Sequence, residues 1–230
     1  MNIQIIHEHS IDLDLLSGGI CIDVGCRGFQ FSEAIRDKGL FVFACDLEDF
    51  DVPKGAGIMY YRAAITTKSG VAHYVDTKDQ QAKYVSSSGI PVRAIALNDL
   101  YDMVITTDVP VVDVLKLDCE GSEYHILSDP NFQPIPKQIS VEFHMHCHRA
   151  LHDQYYDKCM ENLLKWYELV QHELTQAHGA GWNYWNSLFI RRDLMHPKPL
   201  KEGLTKSNTK PFKSESINMG PAPKPIKPSK

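Results

Sequence analysis

The chain has 230 residues, of which 43% are apolar and 23% charged, with a formal net charge of −5; this is enough apolar material for a full core in one large domain, with or without a tail. No apolar run approaches the roughly 18 residues of a membrane helix, and the N-terminus MNIQIIHEHS lacks the basic-then-apolar order of a secretory signal, so a cytoplasmic protein without membrane insertion is expected. The six cysteines have no CxxC spacing, which favours free buried thiols over a disulfide framework or a zinc site.

Charge marks one boundary. Residues 196–230 hold eight Lys against two Glu and seven of the thirteen prolines, leaving the tail at +6 and the body at −11. A segment of that composition cannot bury enough apolar area to offset its ordering entropy. The expected organisation is a folded domain over 1–195 and a flexible basic Pro/Lys-rich tail over 196–230. The tail is open to an anionic partner; nucleic acid is otherwise disfavoured by the acidic body.

In chain order, Ile3 to Ile6 reads as a short strand, and Ser10 caps a turn of helix through Leu16. Ile20 to Val24 is an apolar strand leading into Asp23-Val-Gly25-Cys-Arg-Gly28 and then a helix over Phe31 to Lys38. Glycines in such a strand–loop–helix unit let the backbone turn sharply and approach a ligand. A dinucleotide fingerprint wants glycine where Asp23 stands. An acid there would repel a pyrophosphate and suit a cationic ligand, although plain packing also uses such loops. The second strand, Leu40 to Cys45, ends at Asp46, placed to accept the hydroxyls of an adenosine ribose, with Glu48 as the near alternative.

Ile58 to Arg62 is a third strand, followed by Ala63-Ala64-Ile65, a turn at Lys68 to Gly70 and an alternating strand over Val71 to Val75. The polar stretch Thr77 to Gly89 reads as a mobile loop, possible cover for a substrate or simply a loop. Pro91 to Ile95 is a strand and Leu97 to Met103 a short helix. Val112 to Leu127, VDVLKLDCEGSEYHIL, begins as an apolar central strand and then packs Lys116, Asp118, Glu120 and Glu123 into eight residues. Gln138 to His144 is the next strand, with Glu142, His144, His146 and His148 on one side if it continues. Leu151 to Leu174 reads as one long amphipathic helix with Tyr156, Met160, Leu163, Leu164 and Tyr167 on one face, and Ser187 to Ile190 as the last strand.

Two of these motifs together, IDVGCRG and LKLDCEGSEYHIL, resemble the FkbM-type family of S-adenosylmethionine-dependent methyltransferases. The family hallmark is a strand ending in Lys-x-Asp-x-Glu-Gly-x-Glu, matched by Lys116, Asp118, Glu120, Gly121 and Glu123. Supporting similarity lies in ACD, RAAITTKSG, VRAIALNDL, SVEFH and SLFIRR. The chain departs from the family's common Glu-Pro at Asp46-Leu47, and from its usual loop at Cys26-Arg27-Gly28. The resemblance implies an α/β, Rossmann-like class I methyltransferase: a seven-stranded, mostly parallel sheet in order 3-2-1-4-5-7-6 with strand 7 antiparallel, flanked by helices. It also implies that Asp23, Gly25, Cys26, Arg27, Gly28, Asp46, Leu47, Ala64 and Asp118 hold S-adenosylmethionine.

Transfer to a hydroxyl of a sugar or other small molecule requires alignment of the acceptor and a base within reach of its proton. Asp118, Glu120, Glu142 and His144 are the candidates, with His144 or Glu142 favoured. Lys116, on a core strand, is expected to pair with an acid. A divalent metal is not favoured; if present, it would sit on Asp118, Glu142 and His144. A methyltransferase-like binding module without turnover and a nicotinamide-dependent oxidoreductase are the alternatives.

Overall fold

The computed structural model describes residues 1–77, 82–105, 111–145, 149–177 and 182–195. The chain opens with a hairpin, β1 (Ile3–Ile6) and β2 (His9–Asp12), paired antiparallel from Ile3↔Asp12 to Ile6↔His9. Its turn residues His7 and Glu8 both take positive φ (43° and 72°), the twist that suits a two-residue hairpin. The helical turn expected from Ser10 is confined to a 3-10 turn at Leu13–Leu15, because Ser10 and Ile11 are paired in β2.

The α/β body follows. β3 (Ile20–Val24) leads to α1 (Gln30–Arg36) and β4 (Phe41–Asp46), and β5 (Ile58–Arg62) completes one half of the main sheet. β6 (Ala64–Thr66), β7 (Gly70–Thr77), β8 (Ala82–Ser86) and β9 (Ile90–Ala96) form a second sheet, ahead of α2 (Leu97–Val104). β10 (Val112–Leu117), α3 (Ser122–Ser128), β11 (Gln138–His144), α4 (Arg149–Leu164), β12 (Tyr167–Ala177), β13 (Trp182–Arg191) and α5 (Arg192–Met195) finish it.

The main sheet has seven strands in the order β5-β4-β3-β10-β11-β13-β12, with β13 antiparallel to both its neighbours and the other pairings parallel. β3, β10 and β11 are buried at every position, so even the alternating polar residues of β11 face the interior. One face packs Ile22, Leu115, Leu117, Val141 and Phe143 against Leu100, Tyr124, Leu127 and Leu163 of α2, α3 and α4. The other packs Cys21, Val42, Ala44 and Val114 against Phe31 and Ile35 of α1, with Ile11 of the hairpin.

Two expectations are corrected. Residues 82–86 do not lie in a loop: β8 pairs antiparallel with β7 from His73↔Ser86 to Thr77↔Ala82, in a four-stranded sheet ordered β6-β9-β7-β8. The partner strand supplies an order that a polar stretch does not advertise. The long helix also stops at Leu164, and β12 takes over from Tyr167, paired with β13 along its length. Tyr167 and Leu163 coincide with a helical spacing although the chain has turned between them, and Tyr167 is buried with its hydroxyl donating to the Pro136 carbonyl at 2.9 Å. Leu164, expected on the same face as Leu163, is 39% exposed. Cys21, Cys26, Cys45, Cys119 and Cys159 are free thiols. Cys147, His146, His148 and the tail lie outside the described residues.

Candidate active site

Three parallel strands, β3, β4 and β10, end side by side, and their ends are knit by main-chain hydrogen bonds. Gly25 N–H donates to the Cys45 carbonyl at 2.8 Å, and Asp118 N–H to the Val24 carbonyl at 3.1 Å. The Gly25 φ is +80°, and a Cβ there would stand 1.7 Å from the Asp118 carbonyl oxygen. This glycine is required first by the approach of the two loops to one another.

Beneath that junction lies a buried ion pair. Lys116 Nζ is 3.0 Å from Asp23 Oδ1 and 3.3 Å from Asp118 Oδ2, and it donates to the Gly25 carbonyl at 2.6 Å. Asp23 also accepts the Ser32 hydroxyl at 2.5 Å from the first turn of α1. Asp23 is fully buried, so the charge expected to face a cationic ligand is spent on Lys116 and on tying α1 to β3.

After β10 the chain makes an abrupt bend: Glu120 (φ 49°) and Gly121 (φ 97°) both adopt left-handed backbone before α3 begins. The bend brings the Glu123 carboxylate back to cap the turn, accepting from Gly121 N–H at 2.8 Å through Oε2. Its other oxygen, Oε1, lies 3.1 Å from His144 Nδ1 and accepts the His144 main-chain N–H, also at 3.1 Å. The far nitrogen of the ring, Nε2, faces three carboxylates: Glu142 at 3.4 Å, Asp118 at 3.5 Å and Glu120 at 3.7 Å. His9, from the hairpin, closes the other side, with Nε2 3.6 Å from Asp118 Oδ2 and Nδ1 3.1 Å from the Ser140 hydroxyl.

This crowding sets the proton affinities. Burial opposes charge on His144, yet Glu123, backed by Glu120 and Asp118, holds its proton well above the ordinary imidazole range. Burial likewise opposes ionisation of Asp118, but Lys116, His9 and His144 hold its carboxyl well below the usual range. Burial, together with the Asp118 charge, pushes Glu142 up to about 9. Both shifts favour the protonated forms of His144 and Glu142, which weighs against either as the base expected of them.

A cleft opens to solvent beside this cluster. Gly25, Arg27, Asp46, Leu47, Ala64, Asp118 and Glu120 line it, as do Glu48, Ala63, Ile65, Val85, Cys119 and Ser122. Asp23, Cys26 and Gly28 do not line it; Cys26 is packed among the residues covering α1. Glu142 and His144 sit behind Asp118, with side chains 7% and 4% exposed against 29% for Asp118 and 24% for Glu120. Asp46 accepts the N–H groups of Leu47 (2.7 Å) and Glu48 (3.2 Å) through Oδ1, and its carboxyl is raised by burial.

His9 and Val85 were not legible as site residues. His9 precedes any recognisable motif, and Val85 belongs to the stretch read as a loop. The one available signal was the β-prone pair Tyr84-Val85 within a polar stretch.

The model of the Methyltransferase FkbM domain matches residues 46–162, more than half of the chain. The chain belongs to the FkbM methyltransferase family. The matched segment holds Asp46, Ala64, the whole Lys116–Glu123 motif, Glu142 and His144. It leaves the hairpin, β3 with Gly25, and the strands β12 and β13 outside. No curated protein matches this FkbM methyltransferase. Among solved structures it is similar to the 1,6-didemethyltoxoflavin-N1-methyltransferase of Burkholderia thailandensis, which holds 1,6-didemethyltoxoflavin and S-adenosylhomocysteine, at 12% identity with a TM-score of 0.39 over 75% of this chain and 71% of that one. It is also similar to a TehB-like SAM-dependent methyltransferase of Corynebacterium glutamicum, at 11% identity with a TM-score of 0.37 over 78% of this chain and 86% of that one. No helix among the described residues is long and apolar enough to cross a membrane.

Proposed function

We propose that the protein moves the methyl group of S-adenosylmethionine to a hydroxyl of a sugar or other small molecule. The observation that carries this reading is that Asp46, the Gly25 loop and the carboxylates of the Asp118–Glu120 bend share one cleft at the carboxyl ends of β3, β4 and β10, where open α/β sheets bind ligands.

The donor set fits such a cofactor. Asp46, at the end of β4, would accept the ribose hydroxyls, with Oδ1 already held by two main-chain N–H groups. Ala63, Ala64, Ile65 and Val85 give the cleft an apolar side suited to an adenine, and Gly25, Arg27 and Asp118 would meet the methionine end. When bound, S-adenosylmethionine supplies a methyl carbon already activated by a sulfonium. What is left to this chain is alignment of an acceptor oxygen with that carbon and removal of its proton. Glu120 takes the proton in this reading, because its carboxylate lines the cleft, while Asp118 is paired with Lys116 and the shifts at His144 and Glu142 favour their protonated forms.

Calorimetry with S-adenosylmethionine and S-adenosylhomocysteine on the full chain tests the first step. Binding is expected, and Asp46→Ala should weaken it about tenfold or more, the loss expected when hydrogen bonds to a charged group disappear. Labelled methyl transfer onto glycans and small alcohols tests the second, with Glu120→Gln expected to bind cofactor but turn over poorly. Failure of both cofactor forms to bind would sink the reading.

A further inference from the structure

Beside the cleft, three side chains from two strand ends bring ligand-type atoms close together. One oxygen of Asp118, one of Glu142 and a ring nitrogen of His144 all lie within 4.8 Å of one another. His144 Nε2 is 3.5 Å from Asp118 Oδ1 and 3.4 Å from Glu142 Oε2. A direct charge-assisted hydrogen bond would draw such atoms to about 2.7–2.9 Å. Two donors bound to one ion at about 2.0–2.2 Å stand about 3.0–3.5 Å apart, the edge of an octahedron or tetrahedron. The separations of both oxygens from Nε2 match the polyhedron edge.

Two further observations point the same way. Glu142 is 5% exposed, and among the described residues its carboxylate makes no hydrogen bond; it faces His144 at 3.4 Å. A buried carboxylate held in that way is costly unless something else claims it. The outer contacts are also divided as in metal centres. Glu123 engages Nδ1 of His144 and so turns Nε2 to the cluster. Lys116 and His9 both attend Oδ2 of Asp118, which leaves Oδ1 for the cluster.

We propose that Asp118 Oδ1, Glu142 Oε2 and His144 Nε2 bind one divalent transition-metal ion of the Mn2+ or Zn2+ class, with Glu142 and His144 Nε2 releasing their protons to solvent as it binds. One imidazole with two carboxylates suits such an ion better than Mg2+ or Ca2+, which prefer all-oxygen sites. Glu120 Oε2, 3.7 Å from His144 Nε2, stands on the cleft side of the cluster, so an acceptor oxygen in the cleft would approach the ion's remaining positions there. That last role rests on the methyl-transfer reading; the binding of the ion does not.

The test uses the full chain, stripped with chelator, dialysed and titrated with MnCl2, while free Mn2+ is followed by electron paramagnetic resonance. One equivalent should disappear from the free signal, and spin-echo modulation of the bound ion should show a single imidazole nitrogen. Asp118→Asn and Glu142→Gln, checked for folding by circular dichroism, should each weaken binding at least tenfold, Glu123→Gln about 10–100-fold as an outer partner, and Glu161→Gln on the exposed face of α4 should bind like the parent. Absence of a stoichiometric Mn2+ site, absence of the nitrogen coupling, or parent-like affinity in Glu142→Gln would each overturn the proposal. S-adenosylhomocysteine calorimetry on the same stripped samples keeps the two readings apart: cofactor binding without Mn2+ binding retires the ion alone, and Mn2+ binding without cofactor binding retires the cofactor reading alone.

Discussion

Glu123 Oε1 lies 3.1 Å from both His144 Nδ1 and the His144 main-chain nitrogen, so one buried oxygen fixes the ring and the end of β11 together. Replacing Glu123 by Ala leaves a buried imidazolium without its main counter-charge, and breaking such a pair typically costs about 3–5 kcal/mol. Glu123→Gln keeps an acceptor and should cost less, about 1.5–3 kcal/mol for the lost charge-assisted bonds. Denaturant unfolding that places both variants within experimental error of the parent would contradict the bracing role.

The Lys116 pair makes a second prediction. Lys116→Met should destabilise the fold by about 3–5 kcal/mol, because Asp23 remains fully buried with its charge uncompensated. The double change Lys116→Met with Asp23→Asn removes the orphaned charge, and a double-mutant cycle should show recovery of part of the loss. Additive losses would mean that the two side chains are not coupled.

Gly25→Ala is expected to fail for a different reason. The new methyl group would stand 1.7 Å from the Asp118 carbonyl oxygen, at a φ of +80° that disfavours any side chain. The β3 and β10 ends must then move apart, lowering the melting temperature and weakening S-adenosylhomocysteine binding together. An alanine variant with parent-like melting and binding would show that the loops have slack.

His172 gives a pH prediction far from the cleft. Its ring stacks on Trp185 at 4.1 Å between centroids and meets Tyr156 Oη (3.0 Å) and Ser187 Oγ (2.8 Å), and burial lowers its proton affinity below the ordinary imidazole value. A group with a lowered folded-state pKa binds more protons when unfolded. Its contribution to stability is therefore complete above an unfolded value near 6.5 and declines as pH falls below it. Thermal melts from pH 7.5 to 5.5 should show a decline that is shallower in His172→Gln. Equal slopes would place the acid sensitivity elsewhere.

Much of the body was legible because its signals are local. β3, the Gly25 loop and the Lys116–Glu123 motif each declare themselves within ten residues. β12 and β8 were missed because their strand character depends on partners supplied by β13 and β7. The site divided in the same way. Asp46, Asp118 and Glu120 stand at strand ends and line the cleft as such positions suggest. That Asp23 turns inward follows from Ser32 and Lys116 meeting it in space, which no spacing in the chain records. The proton states of His144 and Glu142 depend on four carboxylates brought together from β10, α3 and β11.

The N-terminal hairpin redraws the edge of the working unit. Asp12 N–H donates to Gln138 Oε1 at 2.8 Å while Gln138 Nε2 donates to the Asp12 carbonyl at 3.1 Å, a reciprocal clasp between β2 and the first residue of β11. Residues that precede the family's shared segment by more than thirty positions therefore hold its fifth sheet strand and deliver His9 to Asp118. A chain begun at Ser17 would keep every strand of the main sheet and every residue of the hallmark, yet would open the back wall of the carboxylate cluster to water. Minimal versions of this domain should keep the hairpin, and substitutions within it offer a way to retune the cluster without touching the motif.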